Sequence, residues 1–215
     1  MSEAVLQSLN VLKKMVHVNV YEEIHPSFLV RFLPSTWKNL PNFTNASLRF
    51  RSQWLLNKSL NVQPVTLDLC EHPYMQLLDI SYESWLCLEK VWGAIYWTHE
   101  IKKLVNRQDK EDLLRYLTQE IYVFVLKMGD LYAPILNTIP LVNVPDKLNE
   151  RITSAGRFLL EYLWAQQPEP LVQRFVLKMP LGIPWNFRHV VDPVLQHRLM
   201  GLCKRLLMQL SEHLC

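Results

Sequence analysis

DKLNERITSAGRFLLEYLWAQ, residues 146–166, sets Leu148, Ile152, Ala155, Leu159 and Leu163 three or four positions apart along its whole length. That is the period of one face of an α-helix; a strand would need strict alternation. Pro168 stops the run, because a proline disfavours helical backbone in the residue before it and has no N–H to donate. Downstream, Pro168 to Pro170 is compatible with a first helical turn and predicts a shorter helix to about Phe175. Asp192-Pro193 is a capping acid followed by proline at the first helical position, and Leu195, Leu199, Leu202, Leu206 and Leu210 predict a long final helix. Upstream, Ser81 can cap a segment whose Trp85, Leu88, Trp92, Ile95 and Tyr96 share one stripe, continuing to Ile101, Leu104 and Val105 as a helix pair or one long helix. Asp109 then predicts a cap for a stretch in which Leu113, Leu114, Leu117, Ile121 and Val125 line up. Residues 122–126 are apolar on all sides and read as a buried turn or a short strand. Residues 131–145, with Pro134, Pro140 and Pro145, predict an ordered apolar loop, since Leu136, Ile139, Leu141 and Val142 are costly to leave in water.

The N-terminal third is patterned differently. Val5, Leu6, Leu9, Leu12, Met15 and Val16 predict a short amphipathic helix, and Val16, Val18 and Val20 then alternate with polar residues as in extended chain. Pro26, Pro34 and Pro41 leave room only for single helical turns, anchored by Phe28, Leu29, Phe32, Leu33 and Trp37. Residues 47–60 can form a helix, and 61–73 hold the best boundary. The expectation is a mainly α fold with little or no sheet: a proline-punctuated N-terminal lobe, residues 1–63, on a compact multi-helix body, residues 64–215, or a single domain overall.

Composition fits that expectation and narrows the function. The 215 residues are 49% hydrophobic and 20% charged, with a formal net charge of +3 and a mean hydropathy of -0.01. This is an ordinary packed globule with no strongly basic nucleic-acid arm. No two of the five glycines lie within eighteen residues of each other, which removes every glycine-loop motif for phosphates, dinucleotides or a nucleophile elbow. The most apolar window, 121–144, is interrupted by Lys127, Asp130, Pro134 and Pro140, so membrane insertion is not expected. The opening residues lack the basic start of an export signal, and Cys70, Cys87, Cys203 and Cys215 are too scattered for a disulfide framework, so a reducing, cytoplasmic protein is expected.

Local chemistry names no enzyme. His99-Glu100-Ile101-Lys102-Lys103 approaches a zinc-protease helix, but the second ligand position is a cation, and no metal or other cofactor is expected. Lys102, Lys103, Arg107 and Lys110 form a basic run next to Glu111 and Asp112, which favours a solvated face or an acidic protein partner over nucleic acid. A second basic group, Arg188, His189, His197, Arg198, Lys204 and Arg205, gathers around the last helix. Of seven tryptophans, Trp37 and Trp185 stand beside prolines in irregular stretches and are the candidate interface anchors. Trp37, Trp185, Arg188, Arg198, Lys204 and Arg205 are therefore the candidate partner-binding residues.

Read in order, Ser154-Ala155-Gly156-Arg157-Phe158-Leu159, Trp164, Pro168-Glu169-Pro170, Gln173-Arg174-Phe175 and Leu177-Lys178-Met179-Pro180-Leu181 resemble the SctK (YscK/PscK) family of type III secretion sorting-platform proteins. The pattern covers about residues 151–181; a weaker likeness reaches back to about Leu67, and the N-terminal part fits loosely. The resemblance implies that Gly156, Trp164, Pro168, Arg174, Leu177 and Pro180 shape the fold, with Gly156 permitting close helix approach and Pro180 ending a segment. It also implies a non-enzymatic adaptor at the cytoplasmic face of the inner membrane, joining the cytoplasmic domain of the ring protein SctD to the SctQ pods of the injectisome. A secretion chaperone or regulatory protein-binding module is the alternative from another class.

Overall fold

The computed structural model describes residues 24–32, 58, 60–63, 69, 71–141 and 144–213. Among them are eight α-helices, one 3-10 helix and no strand. In chain order these are α1 (Pro26–Phe32), the 3-10 helix Met75–Asp79, α2 (Tyr82–Tyr96), α3 (Thr98–Lys103), α4 (Arg107–Leu117), α5 (Gln119–Leu136), α6 (Leu148–Trp164), α7 (Glu169–Lys178) and α8 (Pro193–His213). The mainly helical fold read from the sequence is thus the fold observed. The predicted helix at 5–16, the extended stretch at 16–20 and all of the predicted helix at 47–60 but residues 58 and 60 lie outside the described residues. The chain divides into two compact units: one takes the described residues up to Tyr82 together with Gln167–Trp185, the other Glu83–Gln166 and the chain from Asn186 onward.

In the second unit α3, α4 and α8 pack on α5, and α8 also packs on α6. The core is the set of stripes the periodicity picks out: Trp85, Leu88, Trp92 and Ile95 of α2, Leu113 and Leu117 of α4, Ile152, Leu159 and Leu163 of α6, and Leu199, Leu202 and Leu206 of α8 are all buried. The backbones of α2 and α6 cross in near contact at two glycines. A Cβ on Gly93 would stand 1.9 Å from the Ile152 carbonyl oxygen, and one on Gly156 would stand 1.8 Å from that of Glu89.

Three breaks differ from the sequence expectations, each for a backbone reason. The stripe from Leu113 to Val125 is two helices, because Thr118 has φ +70°; its N–H closes α4 on the Leu114 carbonyl (3.0 Å) and its carbonyl accepts from Tyr122 to open α5 (3.1 Å). Residues 122–126 are helical within α5 rather than a turn or strand. α5 runs on to Leu136 through Pro134, where a loop is expected. Proline forfeits one hydrogen bond to the carbonyl four residues back, here that of Asp130; Asp130 and Pro134 are both exposed, so water can satisfy that carbonyl. α4 is capped by Asn106, whose side chain accepts from the Gln108 N–H (3.0 Å), and Asp109 lies in its first turn.

α6 ends without a glycine. The Gln196 amide, from α8, reaches the carbonyls of Tyr162 (3.2 Å), Leu163 (2.9 Å) and Ala165 (2.8 Å), and so caps the groups an ending helix leaves unsatisfied. The start of α8 is fixed in the same place: the Asp192 N–H donates to the Tyr162 hydroxyl (2.8 Å), while the Asp192 carboxylate accepts from the Val194 N–H (2.8 Å) as its N-cap.

In the first unit α7 packs on the 3-10 helix. The His25 N–H donates to the Leu177 carbonyl (2.7 Å) and the Leu181 N–H to the Ser27 hydroxyl (2.8 Å), which ties α1 to the segment after α7. His25 also stacks edge-on against Tyr82, with ring centroids 4.7 Å apart.

Candidate interaction surface

Of the sequence-predicted partner residues, Trp37 lies outside the described residues. Trp185 is half-buried in the first unit, its ring edge-on to Phe175 at 5.2 Å, where it contributes to packing. Arg188, Arg198, Lys204 and Arg205 all belong to the second unit. Arg188 is exposed on the stretch leading into α8, with its N–H donating to the Asn186 side chain (3.1 Å). The other three lie on α8, Arg198 and Arg205 exposed and Lys204 half-buried.

Helix geometry decides what that surface is. Residues 194, 197, 198, 201, 204, 205 and 208 recur at three- and four-residue intervals and form the face of α8 opposite its core stripe. It is basic and apolar together: Val194 is 62% and Met208 67% exposed, and Arg198 and Arg205 stand between them. Among the described residues, Arg188, Arg198 and Arg205 form no ion pair. The other basic run is different. Lys102 pairs with Asp130, Arg107 with Glu111 (2.8 Å) and Arg115 with Asp112 (3.2 Å), so part of the charge around α3 and α4 is balanced locally, while Lys103 and Lys110 form no ion pair among the described residues. Exposed pairs of this kind contribute little to stability but leave little net field for a partner.

The motif residues of 151–181 fall in both units. Gly156 and Trp164 belong to the second, Pro168, Arg174, Leu177 and Pro180 to the first. Trp164 is fully buried with its ring edge-on to Trp85 at 6.0 Å. Pro168 is the N-cap of α7, and its carbonyl accepts from Leu171 (2.9 Å) and Val172 (3.2 Å). Arg174 and Leu177 are buried on α7, and Pro180 follows the end of that helix.

Sequence reasoning missed a group of polar side chains inside the second unit. Glu89 of α2 and Glu161 of α6 are buried. Glu89 receives a hydrogen bond from Arg157 (3.3 Å); Glu161 accepts from the Asn186 N–H (2.9 Å) and faces the His189 ring nitrogen (3.1 Å), which in turn stacks on Phe158. Glu161 thereby fastens the stretch that carries Arg188. No local spacing marks these glutamates as buried: Glu89 is followed by Lys90 as on a polar face, and Glu161 is a single acid within an apolar run. Burial pushes the Glu89 carboxyl above its ordinary range, against the opposing pull of Arg157 and Lys90. Burial also raises the nearby Tyr116 hydroxyl, which is hydrogen-bonded to Thr153 at 2.6 Å.

The sign of the resulting pH dependence follows from linkage. The folded chain holds the Glu89 proton to a higher pH than the unfolded chain, so this group's contribution is fully present below the ordinary carboxylate pKa and is lost as pH rises through the folded value. Glu89→Gln, which mimics the protonated acid, is expected to gain in urea midpoint relative to the parent as pH is raised above the ordinary carboxylate pKa of about 4. Midpoints that run parallel for the two proteins over that range would remove the idea.

Among the described residues no group of three or more His, Cys, Asp or Glu side chains is placed to hold a metal ion. No helix among them is long and apolar enough to cross a membrane. Cys203 is buried in α8, and desolvation pushes its thiol far above the reactive range. No family model, curated protein or solved structure matches this chain.

Proposed function

We propose that the chain is a non-enzymatic adaptor of a type III secretion sorting platform, binding the cytoplasmic domain of SctD with one surface and SctQ with another at the cytoplasmic face of the inner membrane. The observation that carries the reading is the sequence of residues 154–181 with its likeness to SctK; the burial of Gly156, Trp164, Arg174 and Leu177 supports the structural role that likeness implies for them. The helical bodies and the exposed Arg198 and Arg205 of α8, which form no ion pair among the described residues, suit a protein-binding scaffold. The mechanism is bivalent attachment: each contact, weak alone, is reinforced once the other holds the chain in the assembled ring, through effective concentration.

Size-exclusion chromatography with light scattering tests it, using the full chain alone, then with the SctD cytoplasmic domain, then with SctQ of the same bacterium. A complex with either domain is expected. A well-folded chain that shifts with neither overturns the adaptor reading in favour of a chaperone or regulatory module. Reversing Arg188, Arg198, Lys204 and Arg205 to glutamate is expected to weaken one of the two complexes by about tenfold or more and spare the other, because truncating or reversing charges at a contact acts on that contact. Two unchanged affinities would detach the basic face from both partners.

A further inference from the structure

Four of the chain's five glycines are accounted for inside the molecule. Gly93 and Gly156 sit at the near-contact crossing of α2 and α6, a Cβ on Gly129 would meet the Thr98 side chain at 2.2 Å, and Gly182 has φ +96°. Gly201 is different. It lies within the 21-residue helix α8, and apart from the helix's own backbone the one described atom within 4 Å of a Cβ built there is Arg205 Nη2, at 3.9 Å, from an exposed guanidinium whose Nε donates to the Gly201 carbonyl (3.3 Å). A glycine in a helix interior weakens the helix through lost backbone entropy, and nothing within the described chain requires one here.

Its position supplies a reason. Gly201 is the centre of the outward face of α8, flanked by His197, Arg198, Lys204 and Arg205, with exposed Val194 and Met208 toward the two ends. Two acids of the chain border this face: Asp192, whose carboxylate accepts from the Val194 N–H at the helix start, and Glu212, one turn beyond Met208; among the described residues Arg198 and Arg205 form no ion pair. A helix face with cations on either side of a missing side chain, and apolar groups at the margins, fits another helix crossing over the glycine. Interaxial distance is set by the side chains at the contact, and a glycine lets the partner backbone come closest. The chain uses the same device internally where α2 and α6 cross. We infer that the face of α8 from Val194 to Met208, centred on Gly201, is the docking site for an acidic amphipathic helix of a partner protein, seated over the glycine with its carboxylates against Arg198 and Arg205. This deepens the adaptor reading by giving one of its two contacts a place and a chemistry, and it rests on that reading only for which partner brings the helix.

The test uses the full chain, isotope-labelled, titrated with a blocked helical peptide of about 18 residues, long enough to be helical and to span the roughly 21 Å from Val194 to Met208. The peptide carries glutamates along one stripe with leucine and alanine beside them; a second peptide has glutamine at every glutamate. Amide shifts confined to residues 194–208 are expected with the acidic peptide, weakening as salt is raised, with no response to the glutamine peptide. Gly201→Leu is expected to reduce affinity more than tenfold, and Gly201→Ala, with a helix-favouring residue at an open position, to raise the thermal midpoint by about 2–4 °C. Should Gly201→Leu fail to fold, Arg198→Glu with Arg205→Glu replaces it: this variant loses the acidic peptide and gains a lysine counterpart. Shifts that fall elsewhere, no shifts at all, or an affinity that survives both variants would overturn the site.

Running the SctD and SctQ domains against the same variants separates the two readings. A complex with either domain that is indifferent to Gly201→Leu and to the double reversal removes the α8 site and leaves the adaptor. Peptide docking on α8 with no complex from either domain removes the adaptor and leaves the site.

Discussion

Gly156→Ala is expected to destabilise the second unit by about 3 kcal/mol, although alanine is the better helix former by about 1 kcal/mol. The added methyl would sit 1.8 Å from the Glu89 carbonyl oxygen and 2.7 Å from its carbon, far inside van der Waals contact, and these are backbone atoms that no rotamer change can move. Relief requires α2 and α6 to separate along their crossing. That separation would loosen Trp92, Leu159 and Leu160, all fully buried, and stretch the Arg157 to Glu89 hydrogen bond, now 3.3 Å. Gly93→Ala, aimed at the Ile152 carbonyl from the other helix, is expected to cost about as much. The double variant should cost less than the sum, since one separation relieves both clashes. Urea unfolding at constant m-value reads the effect. A Gly156→Ala protein as stable as the parent, or more so, would mean that helix propensity outweighs the crossing, and the glycine would need another explanation.

How much of this was legible in the sequence depends on which physical signal carried each element. α6 and α8 were readable because an uninterrupted apolar period ends at a proline or begins at Asp192-Pro193, and in both cases side-chain pattern and backbone chemistry agree. The break at Thr118 was not. The stripes of α4 and α5 face a common core, so the period runs straight through, and the positive-φ backbone at Thr118 that separates the helices leaves no mark in hydrophobicity. Pro134 misled in the opposite sense: on an exposed face the carbonyl that loses its bond to the proline has water, which lowers the cost of carrying the helix past it.

The candidate surface divides in the same way. The basic residues of α8 were visible as a cluster because Arg198 and Arg205 are seven apart and share a face. That Lys102 of the run at 102–110 is paired depends on Asp130, which approaches it from another helix. Glu89 and Glu161 gave no signal, because each is held by partners distant in sequence: Arg157 for the first, Asn186 and His189 for the second. Gly201 is one of five glycines in the sequence, but only the space around it distinguishes a glycine the fold requires from one it does not.

Trp164→Ala is expected to destabilise by about 4 kcal/mol, enough to leave a marginal unit largely unfolded at physiological temperature. Trp164 and Trp85 are fully buried, with rings edge-on at 64° and centroids 6.0 Å apart, so truncation removes both a large apolar volume and an aromatic pair. Trp164→Phe retains most of that volume and is expected to cost less than half as much; combined with Trp85→Phe in a double-mutant cycle, it should return a coupling of about 1 kcal/mol. The consequence reaches the proposed docking face. Trp164 closes α6, and the carbonyls at its end are held by Gln196 of α8, one residue before His197 and two before Arg198. Loosening the end of α6 therefore frees the helix that presents the cations. In Trp164→Phe, which should stay folded, the Gln196 bonds persist, and binding at α8 should match the parent. Gln196→Ala removes those bonds while leaving the tryptophans in place, and should weaken binding at α8 more than it lowers the urea midpoint. Equal binding by the Gln196→Ala protein and the parent would show that the orientation of α8 is fixed by its core stripe alone.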